Sequence, residues 1–394
     1  MNLVFEQRVW GELKMQEMEK FFENELARMS KKALSYIHQN IHIRGKKLQE
    51  IFKPFDISES VYYYTQLGGK RLRPAVLLAS CGAVGGDEDV ALPAAAAVEI
   101  YHTWTLVHDD IIDKDTKRRH GDTVHVKWAK KAETIYGWPP EQSSHYGLTI
   151  AILAGDVQHG WAVASLIPDL YWKNRVDAEV VLQLIQELDF ETLRILVEGE
   201  TLDVIYANKR IYELDQEKIL EMLWRKTGVL YRFCGMAGAM IGLNTSDKKN
   251  RQVVALSQFA SKCGMAFQLQ DDILGICGDE AKLGKPVGSD LREGKRTIPL
   301  WKAYMAANSE QRQFFDNVVG RSTATHEEIQ KTVKLIRELG GIKYAQELAK
   351  VYIKGGKVDD TTIKGALSYL KSIDDSKYKD FLRLWADFII TREF

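Results

Sequence analysis

Neither sign of charge is in excess in this chain: 54 lysines and arginines stand against 54 aspartates and glutamates over 394 residues. Such a balance gives no bulk attraction to nucleic acid or to an anionic membrane, so function must be sought in local charge. Cysteine is scarce. Cys81, Cys234, Cys263 and Cys277 form no CxxC pair, which argues against a disulfide framework or a structural zinc site and fits a reducing cytosol. No uninterrupted apolar run reaches the roughly 18 residues of a membrane span; the closest, Val229 to Leu243, is broken by Arg232 and by glycines. Early acids at Glu6, Glu12, Glu17 and Glu19 argue against a signal or transit peptide. A GxSxG motif is also lacking, as is any Cys/His signature of a protein nucleophile. These absences predict a soluble, cytoplasmic protein.

Strict two-residue alternation is scarce too, so no convincing sheet is expected, and helical periodicity dominates. Apolar residues at 181, 184, 185, 188, 193 and 196 mark one buried stripe, and Leu256, Phe259, Ala260, Cys263, Ala266, Phe267 and Ile273 mark another. Pro93 suits the first turn of a helix that runs to Ile112. Glycine and polar clusters near Gly68-Gly69, Gly85-Gly86, 137–144, 244–247, 278–294 and 355–362 leave about ten or more helical segments. No repeat of fixed period appears, which disfavours a solenoid. The expectation is an all-α protein, one large helical domain over residues 1–394 with an N-terminal helical extension over 1–55.

Two acidic constellations carry the chemistry. In His102-Thr-Trp-Thr-Leu-Val-His108-Asp109-Asp110-Ile-Ile-Asp113, Asp109 and Asp113 sit one turn apart on one face, His102 lies two turns above, and Asp110 stands 100° to the side. A lone DDxxD also fits a solvated acidic helix end, but carboxylates near a helix C-terminus oppose the dipole and call for compensation. The second constellation, Phe267-Gln268-Leu-Gln-Asp271-Asp272-Ile-Leu-Gly275, puts Gln268, Asp271, Asp272 and Gly275 on one face at the end of a long apolar helix. Hard carboxylate ligands on rigid helices suit Mg²⁺, which bridges protein carboxylates to substrate phosphates. Cations are supplied by Lys70 and Arg73, by Arg118-Arg119, by Lys226 beside Thr227, and by Lys285 and Lys295. Each alone reads as a solvated surface charge; together they offer partners for two anionic groups.

Together these motifs resemble the trans-isoprenyl diphosphate synthases, the head-to-tail prenyltransferases, and among them archaeal-type geranylgeranyl diphosphate synthases. The likeness runs from about Gln66 to Leu300. It takes in the GGKxxRP element at 68–74, the DDxxD motif with its paired arginines, Ala154-Gly155-Asp156, Glu198-Gly199-Glu200-Thr-Leu-Asp203, Lys226-Thr227-Gly228 and the second acidic motif with its Gly-Lys loop. The resemblance implies a bundle of long helices around a deep central cavity (the isoprenoid synthase fold), usually as a homodimer. It implies Mg²⁺ held by Asp109, Asp113 and Asp271 with support from Asp110 and Asp272. Arg118, Lys226 and Lys285 are then contacts to an allylic diphosphate (dimethylallyl, geranyl or farnesyl), and Lys70, Arg73, His102 and Arg119 the pocket for isopentenyl diphosphate. Lys295 joins the substrate-binding cations, and Thr227 and Gln268 line the reacting carbons.

The pattern is not followed throughout. Gly275 replaces the last aspartate of the second motif, as in archaeal members, His120 and Asp122 stand for the usual glycine and proline, and Glu200 stands where glutamine is common. The stretch from about 129 to 146 resembles an insertion. In the family, side chains just before the first aspartate floor the cavity; here these are Tyr101, Trp104 and Thr105, with Trp104 about 7.5 Å from Asp109 along the helix at 1.5 Å per residue. That points to a C20 product, with C15 or a slightly longer chain as the alternative. A terpene cyclase would lack the GGKxxRP pocket, an HD phosphohydrolase would place its upstream histidine farther off than His102, and a non-catalytic subunit would lose acidic ligands that are intact here.

Overall fold

A computed structural model describes residues 2–40, 42–43, 46–47, 53–277, 288–359 and 361–391. The first part holds helices α1 (Asn2–Gln39), α2 (Phe55–Gln66), α3 (Leu72–Ala83), α4 (Leu92–Ile112), α5 (Val124–Ile135), α6 (Pro140–Trp161), α7 (Asp169–Asn174), α8 (Ala178–Gln186) and α9 (Leu193–Ala207). Then come α10 (Gln216–Leu223), α11 (Val229–Leu243), α12 (Arg251–Cys277), α13 (Ser289–Glu293), α14 (Ile298–Ala306), α15 (Ser309–Val318), α16 (His326–Glu338), α17 (Gly341–Lys354) and α18 (Lys377–Thr391). Sheet is confined, among the described residues, to three two-stranded antiparallel ladders. They pair β1 (His42–Ile43) with β2 (Lys46–Lys47), β3 (Lys117–Arg118) with β4 (Gly121–Asp122), and β5 (Gly356–Val358) with β6 (Thr361–Ile363).

The apolar stripes decide the packing. Val181, Leu184, Leu188 and Leu196 are buried, but a π-helical turn over Glu187–Thr192 divides their stripe between α8 and α9. The stripe of α12 is buried through Leu256, Phe259, Ala260, Cys263, Ala266 and Ile273. This helix lies along α11, α11 lies along α3, and α4 sits between α3 and α6. Pro93 occupies the first turn of α4, where its missing N–H leaves no intrahelical bond unmade. The N-terminal helix α1 packs on α3, α4 and α18 as part of the same core. The stretch Pro140–Asn174 has the length and apolarity of a membrane span, yet over half of its most apolar window is buried in the bundle.

One expectation is revised. Asp271 and Asp272 do not end their helix, because α12 continues to Cys277. The stretch 129–146 closes α5 and opens α6, and its Lys131, Tyr136 and Tyr146 all bond to Asp56 at the start of α2. It docks as a helical hairpin.

Candidate active site

Helices α4, α9 and α12 and the π-helical turn Trp224–Gly228 surround a cavity of about 650 Å³, and a second of about 370 Å³ adjoins it. Asp109, Arg118, Lys226, Gln268, Asp271 and Lys295 line both, so the two acidic motifs share one space. The π-helical turn places Lys226 there: it inserts one residue into the helix, a device common at functional sites. Gly199 on α9 makes room for it, since a Cβ at 199 would stand 2.5 Å from the Lys226 backbone nitrogen.

Lys226 Nζ lies 3.2 Å from Asp109, 2.9 Å from Glu200 and 2.6 Å from Asp203. Lys295 Nζ lies 2.6 Å from Asp113 and 3.3 Å from Glu293. Burial opposes ionisation of Asp109, but Lys226, Lys295 and Arg118 outweigh it and hold its carboxyl well below the usual range. At Asp113 burial wins over Lys295, and its carboxyl is pushed up. Burial also raises Glu200 and, strongly, Asp272. Burial works against the charge of Lys226 too, yet Asp109 and Asp203 keep its ammonium form strongly favoured.

Oxygens of Asp109, Asp113 and Glu200 come within 4.8 Å of one another, close enough to share one cation. The Oδ2 of buried Asp272 and the Oε1 of Glu200 have no hydrogen-bond partner among the described residues. Carboxylates alone, with orphaned oxygens and lysine ammoniums seated between them, make a donor set that fits Mg²⁺.

At the other end of the larger cavity stand Lys70, Arg73, His102 and Arg119. Arg73 Nη1 is 2.9 Å from His102 Nε2, and the guanidinium lies over the Tyr231 ring at 4.6 Å. Burial and the nearby arginines push the pKa of His102 well down, so it stays neutral and can accept from Arg73. The β3–β4 hairpin turns through Arg119 and His120, both at positive φ, the geometry of a tight two-residue turn. This sends Arg119 to the carbonyls of Gly68 (2.6 Å) and Tyr64 (3.1 Å), while Arg118 Nε reaches Asp110 at 2.7 Å. The buried pair of Arg71 and Glu99 also lines this cavity and ties the start of α3 to α4. Between the two ends, Thr227 donates to Gln268 Oε1 (2.7 Å), and Gln268 Nε2 donates to Asp272 (2.8 Å).

Two of the expected side chains stand away from the cavity. Asp110 is fully buried and lines neither cavity; its carboxylate accepts from Tyr64 and Arg118. Tyr101 is also fully buried, its hydroxyl on the Leu188 carbonyl at 3.2 Å, and stands behind Trp104. Trp104 and Thr105 do line the cavity. Lys285 lies outside the described residues. Sequence reasoning assigned no role to Glu200, Asp203 or Tyr64. The first two were visible in the motif at 198–203, whereas nothing local marks Tyr64 as the partner of an aspartate 46 residues on.

The polyprenyl synthetase family model matches residues 56–336, and the chain belongs to that family. It is accordingly an enzyme of the trans-prenyltransferase class. A geranylgeranyl diphosphate synthase of Saccharolobus solfataricus is 34% identical over 343 residues, covering 85% of this chain and 94% of that protein. The solved geranylgeranyl pyrophosphate synthetase of Pyrococcus horikoshii superposes with a TM-score of 0.76 at 30% identity, over 96% of this chain and 100% of that one. The geranylgeranyl pyrophosphate synthase of Corynebacterium glutamicum, solved with isoprenyl diphosphate and magnesium, gives 0.75 at 25% identity over 96% and 99%.

Proposed function

We propose that the protein condenses isopentenyl diphosphate head to tail with dimethylallyl, geranyl and farnesyl diphosphates, requires Mg²⁺, and releases mainly geranylgeranyl diphosphate. The observation that carries this is one cavity with two unlike polar ends: carboxylates with lysines at one, arginines with a neutral histidine at the other. Two diphosphates need such an arrangement, one bound through metal and one directly.

Asp109, Asp113, Glu200, Asp271 and Asp272 would hold Mg²⁺, which when bound supplies positive charge to the leaving diphosphate. Arg118, Lys226 and Lys295 add fixed charge where that negative charge develops. Lys70, Arg73 and Arg119 seat isopentenyl diphosphate, and holding its double bond beside the allylic C1 makes the addition effectively intramolecular. The allylic C–O bond breaks, a C–C bond forms, and the proton lost from the adduct passes to the released diphosphate. Thr227 and Gln268 present oxygen dipoles to the transient cation. Leu106, Leu196, Leu230 and Phe267 line the same space and keep water from it.

The growing chain runs toward Trp104, whose indole rests against Tyr101 and His159, each ring centroid 4.9 Å away. This floor supports a C20 limit; the bulk of the indole beside Asp109 favours C15 as the second reading. Helix α9 leaves Val197, Val204 and Ile205 exposed at helical spacing, with Phe190 and Leu182 exposed just before it. Such an apolar stripe suits a second copy of the chain, and since Val197 also lines the cavity, that copy would cover part of its wall. A homodimer in the cytoplasm is the assembly proposed.

The test is direct. Purified protein is incubated with Mg²⁺, labelled isopentenyl diphosphate and each allylic diphosphate in turn, and the dephosphorylated products are sized. Mg²⁺-dependent condensation ending at C20 is expected; no condensation with any of the three would sink the proposal.

A further inference from the structure

Two cations at the arginine-rich end of the larger cavity lie on aromatic faces. The Lys70 ammonium stands over the ring of Phe388 at 5.2 Å, as the Arg73 guanidinium stands over Tyr231 at 4.6 Å. Both rings lead to the C-terminal helix α18. Phe388 belongs to it, and Trp385, one turn earlier, meets Tyr231 with ring centroids 5.3 Å apart. Phe381, Trp385 and Phe388 recur at i, i+4 and i+7, so they share one face of α18. The N-terminal helix braces that face. Buried Phe22 of α1 stacks on Phe381 at 5.1 Å and tilts against Phe388 at 5.2 Å. From the same helix, Ser30 donates to the Lys70 carbonyl at 3.0 Å.

We propose that α18 is a positioning element for the isopentenyl diphosphate end, with Phe388 holding Lys70 and Trp385 holding Arg73 through Tyr231. The inference rests on the reading that Lys70 and Arg73 seat that diphosphate. Phe388 and Trp385 line neither cavity, so they act through the cations and not on the substrate. Trp385 is fully buried, with Phe259 of α12 edge-on at 5.9 Å, and Phe267 closes on Tyr231 at 5.9 Å. Tyr231 is therefore wedged between α18 and α12.

The physical gain is order without neutralisation. A lysine side chain loses rotamer entropy when a ligand fixes it, and a lysine already held in place loses less. An aromatic face attracts an ammonium through its quadrupole but leaves the charge whole, so an arriving diphosphate meets a full cation. For Arg73, the ring face also sets the plane of the guanidinium, on which its forked donation depends. A contact of this kind at an exposed site such as Lys70 is worth about two- to fivefold in an equilibrium constant.

The experiment compares two Michaelis constants of the full chain with Mg²⁺: for labelled isopentenyl diphosphate at saturating geranyl diphosphate, and the reverse. Phe388→Leu keeps the apolar bulk and loses the ring. It should raise the KM for isopentenyl diphosphate about two- to fivefold while the KM for geranyl diphosphate stays near that of the unaltered chain. Phe388→Tyr, which keeps a ring, should restore the first value. In a Lys70→Met background, Phe388→Leu should change it no further, because the ring then has no ammonium to hold. An unchanged KM for isopentenyl diphosphate in a Phe388→Leu variant that melts like the unaltered chain overturns the proposal. So does an equal rise in both constants, a Phe388→Tyr variant no better than Phe388→Leu, or the same rise in the Lys70→Met background. If Phe388→Leu does not fold, Ser30→Ala carries the test from the α1 side, and an unchanged KM there overturns the proposal. Absence of any condensation by the unaltered chain overturns the functional reading and this proposal with it.

Discussion

Replacing Trp104 with alanine removes the indole on which the proposed chain-length limit rests. Each added isoprene unit brings five carbons, and burying them gains about 4 kcal/mol at about 0.8 kcal/mol per buried carbon. The hydrophobic effect therefore favours further growth at every step, and only a steric obstacle ends it. Trp104 lines the cavity and is braced edge-on by Tyr101 and tilted against His159, so it does not yield without displacing both. If Trp104→Ala lets only a quarter of that gain be realised, about 1 kcal/mol, the ratio of C25 to C20 product rises about fivefold. The fold should tolerate the change. A fully buried tryptophan costs about 3–5 kcal/mol on truncation, but Trp104 is only half-buried, and its loss opens into an existing cavity. The assay extends farnesyl diphosphate with excess labelled isopentenyl diphosphate and sizes the alcohols after dephosphorylation, beside a thermal melt. Products unchanged or shorter, from a variant that still melts cooperatively, would refute Trp104 as the floor.

Asp110→Asn releases Arg118 from a charge-assisted bond worth about 1.5–3 kcal/mol. It should lower kcat/KM for the allylic substrate by about 10–100-fold while leaving Mn²⁺ affinity near its original value, a split that a metal ligand would not show. Glu99→Gln leaves Arg71 buried without its partner and should cost about 3–5 kcal/mol in chemical denaturation, whereas replacing both with apolar residues should cost less. Burial raises the Glu293 carboxyl to about 7 from the ordinary 4.5. Its protonated form is the one the fold prefers, so its contribution is full below pH 4.5 and is lost as pH rises through 7. That slope is worth at most about 3 kcal/mol, and Glu293→Gln should flatten it in metal-free denaturation curves.

What could be read from the sequence was what short-range periodicity encodes. The faces carrying Asp109 with Asp113 and Asp271 with Gly275 followed from 100° per residue, and the stripe of α12 was buried except at Phe267, which lines the cavity. Partners distant in the chain were not legible. Lys295 meets Asp113 across 182 residues and Tyr64 meets Asp110 across 46, and no local pattern links either pair. Nor did periodicity anticipate the π-helical turns at Glu187–Thr192 and Trp224–Gly228, because each inserts one residue and rotates the face beyond it. Tyr101 shows the same limit in one side chain: the family resemblance put it at the floor, but a bond to the Leu188 carbonyl holds it behind Trp104.

The lysines between the aspartates have a consequence for how the site fills. With Lys226 among Asp109, Glu200 and Asp203, and Lys295 on Asp113, the pocket carries its own internal counter-ions. Loading it is then an exchange reaction and not a simple addition. In the proposed reaction, a divalent cation arriving alone would have to evict an ammonium into a crowded, cationic neighbourhood. Arriving with a diphosphate, it releases the ammonium to a new anion, and the charge of the pocket barely changes. The two ligands should therefore bind with positive coupling, each raising the other's affinity by the same factor. Occupancy would then follow the concentration of the metal–diphosphate pair more steeply than that of either component.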